Sequence, residues 1–481
     1  MVVVGLDVGT SNIKAVAFDH EGKQIAISKT CCELITNEMG QAESDPNEIW
    51  QIVKQTLSDL QQQLDEKIEA IGLSTAMHSL ALTDDEGRFL TKFITWADTR
   101  AGAILSPEVS QRLASLSQES GVPLHPMTPL VKLTWLQHVK PDLFTAPYRI
   151  WGLKSFLLSR LTGEYVVDNA IANASGLFNT KTMTWDRETL RYLKIKSESL
   201  PRLVDTDAAF HPTAAVRSEL GLDSETVIIA GASDGVLSTI ALPEIKPAKT
   251  YAISVGTSAA VRVMTRDCRL ARPAKTFTYY AMPDHWVTGA PSNNAGNVMQ
   301  WVKRTWFSNC PEKSRHLTIE KVPVGSNGVI FIPYLYGERA PIWRGDAKGS
   351  LLFLNASTRQ NDILRACLEG IAFNLTEMTA LIDQKKDSIG LISGGMSADA
   401  VFDQLITDVT GNTIYLPESV ESAALGAAIL CLKRLGVIEK SDEITKKITI
   451  KEKFYPDARR HAEYQQIFDR WKRIRDLLEM A

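Results

Sequence analysis

The stretch Met1-Val2-Val3-Val4-Gly5-Leu6-Asp7-Val8-Gly9-Thr10-Ser11-Asn12-Ile13-Lys14 returns in shorter form as Tyr251-Ala252-Ile253-Ser254-Val255-Gly256-Thr257-Ser258-Ala259-Ala260-Val261. Val2, Val3 and Val4 are β-branched and suit a buried strand. Gly9 then permits a turn tight enough for backbone amides and the Thr10 and Ser11 hydroxyls to face a phosphate. Asp7, just before that turn, suits a Mg²⁺ held through water, because this ion binds few carboxylates and keeps much of its hydration shell. Lys14, on the returning strand, supplies a cation. In the second copy Gly256 and Thr257 keep the turn chemistry, while Ser254 takes the place of the acid and Val261 that of the lysine. Either copy alone reads equally as an ordinary hairpin with a Gly-Thr-Ser turn. Two copies in matching strand contexts point to a duplicated nucleotide cleft.

The surrounding chain agrees with a large α/β protein. Its 481 residues allow two to four domains on a prior of ~100 to 200 residues each. Composition is that of a globular chain, 44% hydrophobic and 23% charged, and a net charge of −3 gives no footprint for nucleic acid or an anionic membrane. No stretch reaches the ~18 apolar residues of a membrane span, and Asp7 interrupts the apolar start too early for a signal peptide, so a cytoplasmic protein is expected. The six cysteines, Cys31, Cys32, Cys268, Cys310, Cys367 and Cys431, show no C-x-x-C pair or zinc-like spacing with the eight histidines, and read as reduced thiols.

Residues 1 to about 240 alternate between strand and helix patterns. Asp45-Pro46-Asn47-Glu48 has the form of a capping box, and Ile49, Ile52, Val53, Leu57, Leu60 and Leu64 follow at helical spacing. A strand over Ala70–Leu73 opens onto the loop Ser74 to Ser79, at the strand's C-terminal end where α/β sheets place ligand-contacting loops. A second buried strand, Val227 to Ala230, runs into the turn Gly231 to Gly235 ahead of a helix from about Val236. Asp234 in that turn reads, on local pattern, as a helix N-cap. From Lys249 the pattern restarts. Gly289 to Trp301 is a glycine- and asparagine-rich loop entering a helix, and Ile389 to Ile392 is a strand opening onto Ser393-Gly394-Gly395-Met396-Ser397-Ala398-Asp399. Two glycines there allow a flat approach to an adenosine face, and Ser397 can cap the helix that follows. Helices are expected at Asp362–Leu381 and Ala398–Val409, and residues 438 to 453 read as a solvated charged segment. No G-x-x-x-x-G-K-[ST] or G-x-G-x-x-G motif is present, so neither a P-loop nor a Rossmann dinucleotide site has support.

Taken together, the paired hairpins, the turn Gly231 to Gly235, the segment Met127-Thr-Pro-Leu-Val-Lys132-Leu-Thr-Trp135-Leu and the loop Gly394 to Asp399 resemble the FGGY carbohydrate kinases over about residues 2 to 435. The resemblance implies two actin-like (ribonuclease H-like) domains, 1–245 and 246–481, with ATP and Mg²⁺ in the cleft between them. The sugar would be held mainly by the first domain. It assigns Asp234 as the catalytic base, which displaces the reading as a cap. It places Thr10, Ser11, Asn12 and Lys14 in the first phosphate loop and Gly256 with Thr257 in the second, with Gly296, Gln300, Gly394, Gly395 and Asp399 at the nucleotide. The chain departs from the family where Phe353 stands in place of a glycine, at Cys367, and at His138.

The substrate loop Met77-His78 matches the xylulokinase-like branch. The longer strings Ala76-Met77-His78-Ser79, Thr95-Trp96-Ala97-Asp98-Thr99-Arg100, Ile171 to Asn179 and Gly337 to Trp343 look most like gluconokinases. Met77, His78, Ser79, Asp98, Arg100, Lys154 and Asp234 are the candidate sugar contacts. The gluconate carboxylate favours a cation, for which Arg100 and Lys154 are candidates, with structural ion pairing the alternative for each. The resemblance thus implies a sugar-acid kinase acting on a small molecule, with neither nucleic acid nor membrane as partner and a homodimer as an admissible assembly. A xylulokinase or other pentulose or hexulose kinase is the runner-up. An actin-like nucleotide-switched binding module and an inactive sugar-binding relative are disfavoured by Asp7, Lys14, Asp234 and the Met77-His78 loop.

Overall fold

The computed structural model describes the chain except residues 244, 246–247, 271–274, 308–320, 383–387, 419–420 and 481, and gives backbone alone at 398 and 480. Cys310 therefore lies outside the described residues, and the other five cysteines are free thiols. The chain forms two compact units. The first comprises Met1–Leu242, Met264–Val287 and Val420–Lys447; the second comprises Pro243–Val263, Thr288–Ser419 and Ile448–Ala481.

The first unit is built on a six-stranded sheet in the spatial order Ala209–Phe210, Val227–Ser233, Ile68–Thr75, Val2–Val8, Asn12–Phe18, Gln24–Cys31. Val2–Val8 runs antiparallel to Asn12–Phe18 and parallel to Ile68–Thr75, which in turn runs parallel to Val227–Ser233. Buried on both faces, these strands carry the near-continuous apolar runs seen in the sequence. The helix Pro46–Gln61 has the expected cap in Asp45, whose carboxylate accepts from the amides of Asn47 and Glu48, and Pro46 occupies the first turn; the reciprocal Glu48 side of the expected capping box does not form. Such a cap contributes about 1 kcal/mol. Ile49, Val53, Leu57 and Leu60 on one face of this helix join Val4, Leu6, Ile71 and Ile228 of the sheet in one core.

Residues 422–434 also belong to this unit. Helix Ser422–Arg434 lies backbone to backbone against the sheet and against helix Asp234–Ile240 because the contact positions carry no side chain. A Cβ on Gly5 would stand 2.1 Å from the Ala424 carbonyl oxygen, and one on Gly426 would stand 2.1 Å from that of Leu237. The two units are interleaved along the chain, whereas two continuous domains, 1–245 and 246–481, are expected from the sequence.

The second unit repeats the plan. Six strands of a seven-stranded sheet run through it in the order His285–Ser292, Ala259–Thr265, Thr250–Val255, Ile389–Ser393, Thr413–Pro417, Ile450–Phe454. Thr250–Val255 is antiparallel to Ala259–Thr265 and parallel to Ile389–Ser393, the same hairpin-plus-parallel arrangement as in the first unit. Each unit thus shows the actin-like arrangement expected of it. Helices Gln360–Ile382 and Ala400–Thr410 cover this sheet, and Tyr251, Ile253, Ile371, Phe373, Ile406 and Trp471 lie in its core. The charged segment 438–453 is solvated as expected at Glu439, Lys440, Lys446, Lys447 and Lys451–Lys453, and its last residues also form a strand. Ile450–Phe454 is an edge strand paired to Thr413–Pro417, and its exposed Lys451, Glu452 and Lys453 suit a sheet edge. Phe353 has φ 63, a left-handed conformation that residues other than glycine rarely adopt; its half-exposed ring lies 4.6 Å beneath the Arg470 guanidinium.

Candidate active site

Three parallel strands of the first unit end side by side. Asp7 is in register with Ser74, and Ser233 with Thr75, so Asp7, Ser74 and the Ser233-Asp234 turn share the carboxyl end of the sheet. Ser74 Oγ donates to Asp7 Oδ1 at 2.6 Å. Burial raises the Asp7 carboxyl to a pKa of about 6; the Ser74 hydrogen bond opposes this, the Asp234 charge adds to it, Lys14 opposes it and Glu421 adds to it. Asp7 and the Asp234 turn share one end of the sheet, and the Asp234 charge helps hold the Asp7 carboxyl up.

Asp234 is not the cap that local pattern suggests. Ser233, with φ −73 and ψ 156, is the N-cap, and its Oγ accepts from the Val236 amide at 3.4 Å. Asp234 is already the first helical residue of Asp234–Ile240. It is exposed, and its Oδ1 accepts from the Gly235 amide at 2.7 Å. With Ser233 as the cap, the Asp234 carboxylate stands exposed in the first turn of the helix.

Lys14 sits opposite Asp7 in the hairpin, and its Nζ pairs with Glu421 Oε2 at 2.6 Å. The turn between them is held by the Gly9 amide donating to the Asn12 carbonyl at 3.0 Å and by the Cys32 amide donating to Ser11 O at 3.1 Å. Asn12 Oδ1 accepts from Cys31 Sγ, and the Trp96 indole N–H reaches Thr10 Oγ1 at 3.3 Å.

The loop after Ile68–Thr75 carries Met77, half-buried, and His78, buried and left-handed at φ 68. The His78 ring meets Tyr279 edge to face, 6.3 Å between centroids. Its carbonyl accepts from Lys132 Nζ at 2.6 Å, and the same ammonium donates to Ile94 O at 3.1 Å and Thr95 O at 2.6 Å. Lys132, fully buried in helix Pro129–Val139, therefore ties the His78 loop to the Thr95-Trp96 loop. Burial lowers its pKa to about 7, while three carbonyl oxygens that can only accept hold the ammonium form. Sequence reasoning gives Lys132 no role of its own; the available signal is a lone cation among Leu130, Val131, Leu133 and Leu136.

Ser79 Oγ accepts from the Leu153 amide at 3.3 Å and helps start helix Leu153–Thr162. Asp98 is buried and engaged, accepting from the Ala42 amide at 2.9 Å and from Arg100 Nε and Nη2. Arg100 also pairs with Glu43 and lies 5.1 Å over the Trp135 ring. Structural ion pairing, the alternative for Arg100, accounts for most of its donors, and Asp98 is buried in the same network. Lys154 requires a correction as a sugar contact: it is fully buried, and its three donors go to Leu73 O, Ala230 O and Ala232 O. No donor is left to turn toward a ligand carboxylate.

In the second unit the turn at Gly256 meets two other loops. The Gly296 amide donates to Gly256 O and the Asn297 amide to Thr257 O, each at 3.0 Å, joining the hairpin turn to the start of helix Gly296–Trp306. A Cβ on Gly394, whose φ is 105, would stand 2.5 Å from Val255 O, so only glycine fits that approach. Gly395 beside it faces open space, and Gln300 is exposed one turn into the helix. Asp399, rather than Ser397, caps helix Ala400–Thr410 by accepting from the Val401 amide at 3.0 Å; Ser397 Oγ instead donates to Gly394 O.

The second hairpin is also tighter by one residue. Gly256 N bonds to Ser258 O, so Ala260 rather than Val261 lies opposite Ser254. Arg262 Nη1 donates to Ser254 Oγ at 3.3 Å, a cation that alignment of the two copies by sequence offset misses. Gly337 to Trp343, a sugar signature by resemblance, braces this unit. Glu338 is buried and accepts from Ser292 Oγ at 2.7 Å, the Asn293 amide at 2.8 Å and the Asn294 side-chain amide at 3.2 Å, which fixes the loop leading into Gly296. Burial pushes its carboxyl up, and these donors oppose the shift.

Among the described residues no three His, Cys, Asp or Glu side chains cluster into a metal cage. Mg²⁺ needs none, since one or two carboxylates with waters and substrate phosphates suffice, and a largely buried Asp7 oriented by Ser74 fits that demand. No helix among the described residues is long and apolar enough to cross a membrane.

Residues 2–241 match the N-terminal domain, and residues 251–434 the C-terminal domain, of the FGGY family of carbohydrate kinases. The chain is 34% identical to a gluconokinase of Bacillus licheniformis, covering 97% of this chain and 94% of that protein. Two solved structures from Lactobacillus acidophilus, one described as gluconate kinase and one as ligand-bound xylulose kinase, each superpose with a TM-score of 0.94 at 35% identity, over 99% of this chain and 98% of theirs.

Proposed function

We propose that this chain, which belongs to the FGGY family of carbohydrate kinases, is a gluconokinase that transfers the γ-phosphoryl group of ATP to the terminal hydroxyl of D-gluconate. The observation that carries the reading is the exposed Asp234 carboxylate, which follows the Ser233 cap at the sheet end that also bears Asp7, in a chain similar to a gluconokinase over nearly its whole length. Asp234 accepts the proton of the sugar hydroxyl as the oxygen–phosphorus bond forms and the bond from phosphorus to the ADP oxygen breaks. By the family resemblance, Thr10, Ser11, Asn12 and Lys14 form one phosphate loop and Gly256 with Thr257 another. Gly296, Gln300, Gly394, Gly395 and Asp399 receive the nucleoside. Asp7 would hold Mg²⁺ through water, and that ion supplies charge neutralisation at the phosphate oxygens when bound.

Met77, His78 and Ser79 line the sugar side on the loop tied down by Lys132. Arg100 engages Asp98 and Glu43 through Nε and Nη2, which leaves Nη1 as the donor for the substrate carboxylate. A xylulose kinase is the second reading, favoured by the Lactobacillus acidophilus structure described by that name. An ATP-consumption assay across gluconate, xylulose, ribulose, glycerol and erythritol decides between them. Gluconate is expected to give the highest kcat/KM, at least ~10-fold above xylulose, because a donor built for a carboxylate is left unpaired by a neutral ketose at a cost of ~1–3 kcal/mol. Arg100→Ala should narrow that gap.

A further inference from the structure

Strand Val227–Ser233 does not run straight into the helix that bears Asp234. Its pairing with Ile68–Thr75 shifts register between Ile229 and Ala232, and Gly231 inside the shift has φ 68. A Cβ at Gly231 would come within 1.8 Å of the Leu73 carbonyl oxygen, so the two backbones touch where the ladder breaks. A bulge of this kind re-aims the residues that follow it and leaves carbonyls that the ladder cannot use.

Those carbonyls are taken up by one side chain. Lys154 Nζ, fully buried on helix Leu153–Thr162, donates to Leu73 O at 2.5 Å, Ala230 O at 2.6 Å and Ala232 O at 3.1 Å, with Asp168 Oδ2 at 3.8 Å. An ammonium has three donors and no acceptor, so the site matches its full capacity. One acceptor lies on the neighbouring strand and two flank Gly231, which makes the lysine a clamp across the irregular step. Asp234 follows Ala232 by two residues.

We propose that Lys154 is a positioning residue for phosphoryl transfer, fixing the bulge at Gly231 and through it the placement of the Asp234 carboxylate against the reacting hydroxyl. The proposal rests on the reading of Asp234 as the base. It differs from a role in general stability because the clamp grips the segment that aims Asp234, and a displacement of about 1 Å at a reacting group can cost ~10²-fold in rate.

The test is a double-mutant cycle on the full-length protein with Lys154→Met and Asp234→Asn, read as kcat, KM for gluconate and ATP affinity by direct titration. Lys154→Met alone should lower kcat ~10²-fold while ATP affinity stays within threefold of wild type. Added to Asp234→Asn it should cost less than a further threefold, since a clamp acting through Asp234 has nothing left to position. Additive losses, a kcat within threefold of wild type in Lys154→Met, or a parallel collapse of ATP affinity would each overturn the positioning role. If Lys154→Met is not recovered folded, Lys154→Arg replaces it. That variant retains the charge but shifts the donors, and should lower kcat ~10-fold with ATP affinity intact; an unchanged kcat there overturns the proposal equally. Normal turnover of Asp234→Asn would instead refute the base assignment, a failure distinct from that of the clamp.

Discussion

Replacing Asp7 by asparagine should make the protein more stable and less active at once. In the folded chain burial is the largest cause holding the Asp7 carboxyl at a pKa of about 6, against an ordinary value of 3.8. The difference of about 2 units, at 1.36 kcal/mol each, gives an upper bound of ~3 kcal/mol for the burden of keeping this group ionised at neutral pH. Because the folded-state pKa is the higher one, the folded protein binds the proton more tightly than the unfolded chain. The wild type is therefore unburdened below about pH 4 and loses stability as pH rises through 6. The substituted amide carries no charge and keeps an oxygen to accept from Ser74 Oγ, as the carboxylate does. Its NH₂ group needs an acceptor of its own, so the net gain expected at pH 7.5 is ~1–2 kcal/mol. Thermal unfolding of the metal-free proteins at pH 4.5 and pH 7.5, following the transition of the first unit, reads this directly. Asp7→Asn should melt several degrees higher at pH 7.5 and level with wild type at pH 4.5. It should also need ~10–100-fold more Mg²⁺ for half-maximal turnover, as expected when a group that orients a metal's water shell is lost. A variant that melts lower than wild type at pH 7.5, or a gain that persists unchanged at pH 4.5, would refute the assignment of Asp7 as a carboxylate kept in an unfavourable ionised state for function.

Three further outcomes follow from the same geometry. Asp234→Asn should lower turnover ~10²- to 10⁴-fold with ATP affinity nearly unchanged, measured by steady-state kinetics and nucleotide titration, because it removes the proton acceptor at constant size. Thr257→Val should raise the KM for ATP ~10-fold without altering the ranking of sugars, since a hydrogen bond to a charged phosphate contributes ~1.5–3 kcal/mol; a changed ranking in the sugar panel would contradict a phosphate-side role. Lys132→Met should raise the KM for gluconate ~10-fold or more with ATP affinity intact. Its ammonium joins His78 O to Ile94 O and Thr95 O, so its loss frees the His78 loop.

The fold is legible in the sequence because its signals are local. The valine run, the Gly-Thr-Ser turns and the Asp45-Pro46 cap each act within a few residues, and each is found where the sequence places it. The glycine loops of the second unit are legible for a related reason: Gly394 tolerates no Cβ, so the constraint is written in the residue itself. What the sequence misleads on depends on contacts across the chain. Lys154 looks like a ligand for an anion until Leu73, Ala230 and Ala232 close around it, and Asp234 looks like a cap until Ser233 adopts the extended backbone that a cap requires. Lys14 finds Glu421, 407 residues away, and no spacing rule reaches that far. Offset alignment of the two hairpins fails by one position because the second turn closes through Ser258, a difference of one residue that exchanges Val261 for Ala260 opposite Ser254.

The identity of the phosphate acceptor is tested most directly by competition. The protein is given equimolar gluconate and xylulose with limiting Mg-ATP, and the products are resolved by ³¹P NMR. Under these conditions the product ratio reports the ratio of kcat/KM values. The account predicts that a phosphomonoester on the terminal carbon of gluconate, distant from its carboxylate, makes up at least ~90% of the product, in line with the tenfold discrimination expected of a paired carboxylate. Xylulose phosphate as the main product, with gluconate left unchanged, would contradict it.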